Sequence, residues 1–180
     1  MHGEQHYYAY LASPLGDGWD TRTRHWLAVS GAETVDRRPV KMLPNVQDSL
    51  VGMIRSDLRK RGMLPSGTFR VTQNVEADLD RDGKSERLVT MEFAGTAART
   101  VLAAAYGLGD GRLAVEVLAE TGHTAEDRTM VRLLAVADIN GDRVREVAVL
   151  WGIADGMGVD VFTFGRSGFR KVYEEVWGDA

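Results

Sequence analysis

The apolar and polar positions of the chain predict a mainly β protein from about residue 66 onward. Apolar runs of β-type residues alternate there with turns that contain glycine and aspartate. Eight strands are predicted, at residues 69–77, 88–93, 101–106, 113–118, 130–137, 147–151, 159–164 and 169–176. Because short turns join most consecutive strands, we expect them to be antiparallel.

The first third of the chain has a different pattern. Strand-like residues 7–12 and 26–29 flank a loop that contains Gly16-Asp17-Gly18, which predicts a hairpin with a long loop. After Pro44 the apolar residues fall at helical spacing, and one face collects Val46, Leu50, Met53, Ile54 and Leu58. We expect this segment to form a helix.

The ends and the polar side of this helix depend on single residues. Asn45 is suited to cap its start, and Gly62 with Pro65 beyond it is suited to end it. Four basic residues lie off the apolar face: Arg55, Arg59, Lys60 and Arg61. Such a charge run favours a solvated helix flank, and an anionic partner is the alternative.

The β region contains an internal repeat with a period of 60 residues. An acidic pattern occurs twice, as Asp78, Asp80, Asp82 and Glu86 and again, with one amide, as Asp138, Asn140, Asp142 and Glu146. Each copy contains four predicted strands, which is the content of one propeller blade, but two copies cannot close a ring. Two hairpin pairs that share one sandwich core are the alternative architecture.

The predicted fold class is therefore mainly β with one α-helix. It comprises two four-stranded antiparallel β-meander (blade-like) repeats plus an N-terminal hairpin and helix. The predicted division is 1–65 for the hairpin and helix, 66–126 for the first β-repeat with its acidic loop, and 127–180 for the second β-repeat with its acidic loop.

Composition narrows the classes of function. A chain of 180 residues with 44% hydrophobic residues is long enough to bury a core without cross-links. The net charge of -4 argues against a general binder of nucleic acids or anionic membranes. Because the chain has no cysteine, disulfides and thiolate metal sites are excluded. No apolar stretch approaches the roughly 20 residues that a membrane span needs.

The first acidic loop, residues 78–86, is the main candidate site. Its acids alternate along a tight turn, and carboxylates on such a turn supply the about six to eight oxygen ligands that Ca²⁺ takes. The candidate ligands are Asp78, Asp80, Asp82, Glu86 and the backbone carbonyl of Lys84. Gly83 permits the left-handed backbone that such a turn needs.

The second acidic loop, residues 138–146, offers the same set with one change. Its candidate ligands are Asp138, Asn140, Asp142, Glu146 and the backbone carbonyl of Val144. Because Asn140 replaces a carboxylate by a neutral amide, we expect calcium to bind more tightly at the first loop. The alternative for both loops is a metal-free turn in which Asp and Asn side chains bond their own backbone.

The residues after the loops exclude an EF-hand. An EF-hand requires a bidentate Glu at the twelfth position and a helix on each side. The twelfth residues here are Val89 and Val149, and both lie in predicted strands.

A nine-residue acidic loop that runs directly into a strand resembles the calcium loops of FG-GAP/VCBS-type repeats, which occur in integrin α-subunit propellers and in many exported bacterial proteins. The resemblance covers residues 69–177. It implies a β-meander blade, one structural calcium per repeat, and extracytoplasmic binding or adhesion rather than catalysis. The family pattern has glycine where this chain has Arg143.

The leading hypothesis is thus a calcium-binding, non-enzymatic β-repeat module of an exported or surface bacterial protein. It would bind a protein or glycan partner, and association into a homo-oligomer is left as an open alternative. One alternative is a carbohydrate-active enzyme, or an enzyme-associated module, that uses the loop acids. Another is an interaction scaffold with metal-free acidic turns. The resemblance implies an extracytoplasmic location. Because residues 1–6 do not resemble a signal peptide, we expect a leader to precede this sequence, and the cytoplasm is the alternative.

Other candidate sites are less specific. The scattered histidines predict no zinc site: His2, His6, His25 and His123. Residues 107–111 are rich in glycine but precede a strand, which predicts a hairpin turn rather than a phosphate loop. Trp19 is the candidate recognition residue of the first loop, whereas Trp26, Trp151 and Trp177 are expected to pack.

Overall fold

The computed structural model describes residues 8–9, 27–28, 40–63, 67–94, 99–108, 110–122, 130–153 and 156–177. The sequence predictions for Pro65, Trp19, Trp26 and the four histidines lie outside these residues. Two short strands, β1 (Tyr8–Ala9) and β2 (Leu27–Ala28), pair antiparallel, as the predicted hairpin requires.

The helix α1 spans Asp48–Lys60. Its N-cap is Gln47, which makes no side-chain capping bond, so the prediction that Asn45 caps the helix is wrong. Asn45 instead belongs to the segment that lies on the sheet, where its carbonyl accepts a hydrogen bond of 2.6 Å from Asn74 Nδ2. Gly62 ends the helix as predicted, because its φ of 78° is left-handed and costs glycine little. No helix among the described residues is long and apolar enough to cross a membrane.

The buried face of α1 differs from the predicted one by a single exchange. Its buried side chains are Leu50, Val51, Ile54 and Leu58. Val51 takes the place predicted for Met53, which is half-buried, while Val46 packs at the edge of the same cluster. The helix therefore presents a slightly rotated apolar face to the sheet.

Arg55 is not part of a free basic flank. Its guanidinium carbon lies 5.1 Å from the ring centre of Phe69 and 5.8 Å from that of Phe93. Its Nη2 also donates to the carbonyl of Gly67 at 3.3 Å. Arg55 thus joins the helix to the sheet through cation–π contacts, while Arg59, Lys60 and Arg61 are exposed as expected.

The first sheet has five strands in the order β3–β4–β5–β6–β7, with antiparallel neighbours throughout. Their bounds are β3 Lys41–Met42, β4 Phe69–Ala77, β5 Glu86–Phe93, β6 Arg99–Gly107 and β7 Leu113–Gly122. The sequence did not predict β3, which pairs with the end of β4 through only two residues.

The second sheet has four strands in the order β8–β9–β10–β11, again antiparallel. Their bounds are β8 Met130–Ala137, β9 Glu146–Ile153, β10 Gly156–Gly165 and β11 Gly168–Trp177. Each repeat is thus a four-stranded meander, because β4 to β7 correspond in order to β8 to β11.

The two sheets pack face to face and share one core. A buried apolar cluster contains Val75, Leu88 and Leu102 of the first sheet together with Val149 and Phe162 of the second. The helix covers the other face of the first sheet, and a third cluster lies on the other face of the second. The architecture is therefore the shared sandwich core, and the predicted class, mainly β with one helix and two meanders, is confirmed.

A buried glutamine links the two sheets. Gln73 Nε2 donates to the Leu133 carbonyl at 3.0 Å, and Gln73 Oε1 accepts from the Leu133 N–H at 2.8 Å. Thr90 Oγ1 donates to the same Oε1 at 3.1 Å. Leu133 lies beside a bulge on the edge strand β8, so the amide of Gln73 satisfies backbone groups that have no neighbouring strand there.

The tryptophans of the second sheet differ in environment. Trp151 is half-buried and packs on the inter-sheet core, as predicted. Its ring lies over Gly158 on β10, where an added Cβ would come within 2.5 Å of it. Trp177 is 42% exposed, so the prediction that it packs is wrong. The reason is its place at the end of β11, an edge strand of the described sheet.

Candidate metal centre

The first acidic loop joins β4 to β5 and turns with two left-handed residues. Arg81 has φ of 64° and Gly83 has φ of 81°. Between them the chain is held by Asx turns, because the N–H of Asp82 donates to Asp80 Oδ1 at 3.2 Å and the N–H of Lys84 donates to Asp82 Oδ1 at 2.7 Å. These bonds hold the aspartates on one side of a compact turn.

Three of the predicted ligands meet inside this loop. Carboxylate oxygens of Asp78, Asp80 and Glu86 all lie within 4.8 Å of one another. Glu86 is 4% exposed, Asp78 is half-buried and Asp80 is exposed, so the group opens to solvent on one side. Asp82 is not in this group, since its second oxygen faces Lys84 Nζ at 3.7 Å.

Glu86 experiences both burial and like charge. The pKa of Glu86 is raised to about 7, chiefly by burial and also by the charges of Asp80 and Asp82, while a hydrogen bond from the N–H of Leu79 (2.8 Å) opposes the rise. A carboxyl group with this pKa carries an unfavourable negative charge at neutral pH. A cation among the three carboxylates would remove that cost.

The second acidic loop also has two left-handed residues, but its glycine and arginine are in the opposite order. Gly141 has φ of 80° and Arg143 has φ of 75°, at the positions that Arg81 and Gly83 occupy in the first loop. The bond that closes the loop is also repeated, from the N–H of Ile139 to Glu146 Oε2 at 2.8 Å. Arg143 therefore does not change the shape of the turn, although the family pattern has glycine there.

The centre of the second loop contains an amide donor. Asn140 Nδ2 donates to Asp142 Oδ2 at 3.1 Å and to Glu146 Oε1 at 3.2 Å. Burial raises the pKa of Glu146, and the charges of Asp142 and Asp138 add to the rise. The amide hydrogens thus supply positive partial charge where a cation would otherwise contact these carboxylates.

Asp138 is occupied by the backbone of its own loop. Its Oδ1 accepts from the N–H of Gly141 at 2.7 Å, and its Oδ2 accepts from the N–H of Arg143 at 3.0 Å. A cation at this loop would have to replace or share these bonds. The stronger calcium binding that the charges predict for the first loop stays a prediction.

The two loops contact each other across the sandwich. The N–H of Arg145, in the second loop, donates to the carbonyl of Leu79, in the first, at 2.8 Å. Arg145 is 1% exposed, which is unusual for arginine. Arg145 is not among the residues predicted for the site, and its position next to Glu146, where the first loop has Ser85, was the one signal in the sequence.

The remaining candidate residues have clear places. Val89 and Val149 are fully buried inside β5 and β9, so the loops are not EF-hands. The carbonyls of Lys84 and Val144 stay predicted ligands, and the N–H of Val144 donates to Asp142 Oδ1 at 2.8 Å. The glycine-rich segment after β6 is a hairpin turn, closed by the N–H of Leu108 on the carbonyl of Arg112 at 2.7 Å.

Comparison of the chain with protein-family models, with curated proteins and with solved structures found no match.

Proposed function

We propose that the first acidic loop binds Ca²⁺ and that the chain is a calcium-stabilised, non-enzymatic β-repeat module. The observation that carries the proposal is the convergence of Asp78, Asp80 and Glu86 within 4.8 Å, with Glu86 buried. Three carboxylates at this separation repel one another, and a divalent cation offsets the repulsion. The carbonyl of Lys84 and water would complete the about six to eight oxygens that Ca²⁺ takes.

The second loop supports a different role in this proposal. Because Asn140 already donates to Asp142 and Glu146, the loop is internally satisfied as a metal-free turn. We infer that it holds no cation when the first loop is filled. The scaffold hypothesis thus applies to one loop and the calcium hypothesis to the other.

A reciprocal exchange tests this assignment by calorimetric titration with CaCl₂. Asp80→Asn gives the first loop the amide of the second, and we expect calcium binding to fall at least about tenfold. Asn140→Asp gives the second loop the missing carboxylate, and we expect a second equivalent of calcium to bind. Asp110→Asn removes one charge from the exposed turn between β6 and β7 and serves as the control.

The outcomes separate the hypotheses. Binding of one calcium per chain that is lost in Asp80→Asn and kept in Asp110→Asn supports the proposed site. Absence of calcium binding by the unaltered chain at millimolar concentration contradicts the proposed site. Failure of Asn140→Asp to bind a second equivalent of calcium contradicts the role inferred for the second loop. Titration with MgCl₂ shows whether the site prefers the larger ion.

The proposed setting is an exported or surface protein with a protein or glycan partner. Extracellular calcium modules often have dissociation constants of about 10⁻⁴ to 10⁻³ M, which only a calcium-rich compartment saturates. The enzyme hypothesis makes a separate prediction, namely turnover on a carbohydrate panel that Asp80→Ala or Glu86→Ala abolishes without unfolding. We expect no such turnover.

A further inference from the structure

The last strand of the second sheet has a free edge among the described strands. β11 pairs with β10 and with no other described strand. Its apolar side chains are exposed: Val172 by 44%, Tyr173 by 51% and Val176 by 59%. An edge strand of ten residues offers a row of N–H and C=O groups that can pair with another strand.

The sequence of β11 is complementary to itself when reversed. In antiparallel pairing centred between Val172 and Tyr173, each residue meets a partner of matching chemistry. The four opposite pairs are Phe169 with Val176, Arg170 with Glu175, Lys171 with Glu174, and Val172 with Tyr173. Opposite charges and apolar pairs directly across two strands stabilise a sheet, and the two-fold symmetry makes each pair occur twice.

A bulge in β11 places the residues of each proposed pair on the same face of the sheet. Two residues that lie opposite in an antiparallel pair must project on the same face. Arg170 and Glu175 are an odd number of positions apart, which would place them on opposite faces of a regular strand. The register shift between Val161 and Phe162 inserts one extra residue in β11, at Val172, and so returns Arg170 and Glu175 to one face.

The same shift places the other charged pair together on the inner face. Lys171 lies opposite Phe162, and Glu174 lies opposite Asp160, two positions away on β10. Phe162 belongs to the inter-sheet core, so Lys171 and Glu174 both project toward the inner side. In one chain Lys171 Nζ lies 3.1 Å from Asp160 Oδ2 on β10 and 3.3 Å from Glu174 Oε2, so the three charges form one cluster on this face.

Neighbouring registers lack this match. A shift by one position in one direction keeps Arg170 opposite Glu174 but places Phe169 opposite Glu175. A shift in the other direction keeps Lys171 opposite Glu175 but places Val172 opposite Glu174. Parallel pairing in register places like charges next to each other. Of these registers, only the one centred between Val172 and Tyr173 matches all four pairs.

We propose that two copies of this chain associate through antiparallel pairing of their β11 strands, centred between Val172 and Tyr173. The pairing joins the two second sheets into one continuous eight-stranded sheet about a two-fold axis. It reduces the exposure of the side chains of Val172, Tyr173 and Val176 and pairs the backbone N–H and C=O groups of both edge strands. This surface is separate from the acidic loops, so dimer formation does not depend on calcium binding.

Sedimentation velocity over a concentration series tests the pairing. We expect a reversible dimer for the unaltered chain. Arg170→Glu alone and Glu175→Arg alone each place like charges opposite at two symmetric positions, and we expect each to weaken the dimer at least about tenfold. A mixture of the two single variants restores opposite charges at both positions, and we expect it to form the heterodimer.

Arg166→Glu is the matched control, because Arg166 carries the same charge in the turn before β11 and lies outside the proposed pairing. We expect this variant to dimerise like the unaltered chain. A monomer at the highest soluble concentration overturns the proposal. A dimer that both single variants leave unchanged overturns it too, since the contact would then lie elsewhere. Thermal melting of each variant confirms that a lost dimer is not a lost fold.

Discussion

Individual residues with left-handed backbone shape both acidic loops. Each loop needs positive φ at its fourth and sixth positions, and each provides one glycine and one arginine, in opposite order. A left-handed residue other than glycine costs roughly 1–2 kcal/mol. Both loops therefore carry strain at one arginine, Arg81 or Arg143, that the surrounding hydrogen bonds hold in place.

Substitution of Arg143 tests this strain. We expect Arg143→Gly to raise the free energy of unfolding by up to about 1 kcal/mol, because the left-handed cost disappears while the greater freedom of glycine in the unfolded chain offsets part of the gain. Gly141→Ala should lower it by about 1 kcal/mol, since φ of 80° is unfavourable for alanine. Urea unfolding measures both. Equal effects of the two substitutions would contradict the strain.

The pKa of Glu86 predicts how stability without metal depends on pH. Its pKa rises from the ordinary value of 4.5 to about 7 on folding, so the folded chain binds more protons than the unfolded chain between these values. Stability should therefore fall as pH rises from about 4.5 to 7. Urea unfolding in chelator at several pH values measures the fall, and Glu86→Gln should reduce it. Calcium binding should strengthen over the same range, because the proton competes for Glu86.

The convergence of the three carboxylates could be predicted from the sequence, whereas the burial of Arg145 could not. The spacing of Asp78, Asp80 and Glu86 is a local property of a turn, and the residue types needed for a turn are visible in the chain. Arg145 is buried at a place where its N–H bonds the carbonyl of Leu79, which lies 66 positions earlier, and no local pattern contains that contact. The same applies to Gln73 and Leu133.

Among the elements, the bounds of the strands were predicted well. The side of each strand that faces the inter-sheet core was not predicted. β4 and β8 have the predicted bounds, and the other strands extend by a few residues. Equivalent residues of the repeats nevertheless project on different sides: Leu88 lies in the inter-sheet core, while Ala148 lies on the other face of its sheet. Because both faces of each sheet are apolar and covered, alternation alone does not show which face is inside.

The contact between β9 and β10 depends on a missing side chain. A Cβ at Gly158 would lie 2.5 Å from both the Trp151 ring and the Glu175 carbonyl. We expect Gly158→Ala to destabilise the protein by about 1–3 kcal/mol through overpacking. Gly165→Ala is the control on the same strand, because nothing lies within 4 Å of its added Cβ. Thermal unfolding compares them, and a neutral Gly158→Ala would contradict the contact.

The link between the sheets depends on the amide of Gln73. Gln73→Leu keeps a similar volume but leaves the N–H and C=O of Leu133 without their buried partner. We expect a loss of about 2–3 kcal/mol in the free energy of unfolding. Thr72→Val, at the exposed neighbouring position, removes only the 3.3 Å bond from Thr72 Oγ1 to the carbonyl of Thr90 and should change it by less than about 1 kcal/mol. Similar effects of the two substitutions would show that the amide bonds contribute little.

At the level of the whole molecule, the repeat builds one sandwich from two copies of a meander, and the acidic loops meet at one end of it. The bond between Arg145 and Leu79 joins them, so we expect calcium at the first loop to support the second loop as well. The helix and β3 belong to the first sheet alone. We therefore propose a structural role for calcium, which would stabilise this end of the sandwich.

Thermal melting with calcium and with chelator tests this account most directly. With calcium at about ten times its dissociation constant, binding at one site stabilises the fold by about 1.4 kcal/mol, which corresponds to a rise of about 4 °C in Tm. The account predicts this rise at pH 7.5 in the unaltered chain and its loss in Asp80→Asn. A Tm that is the same in millimolar calcium and in chelator would contradict the calcium site.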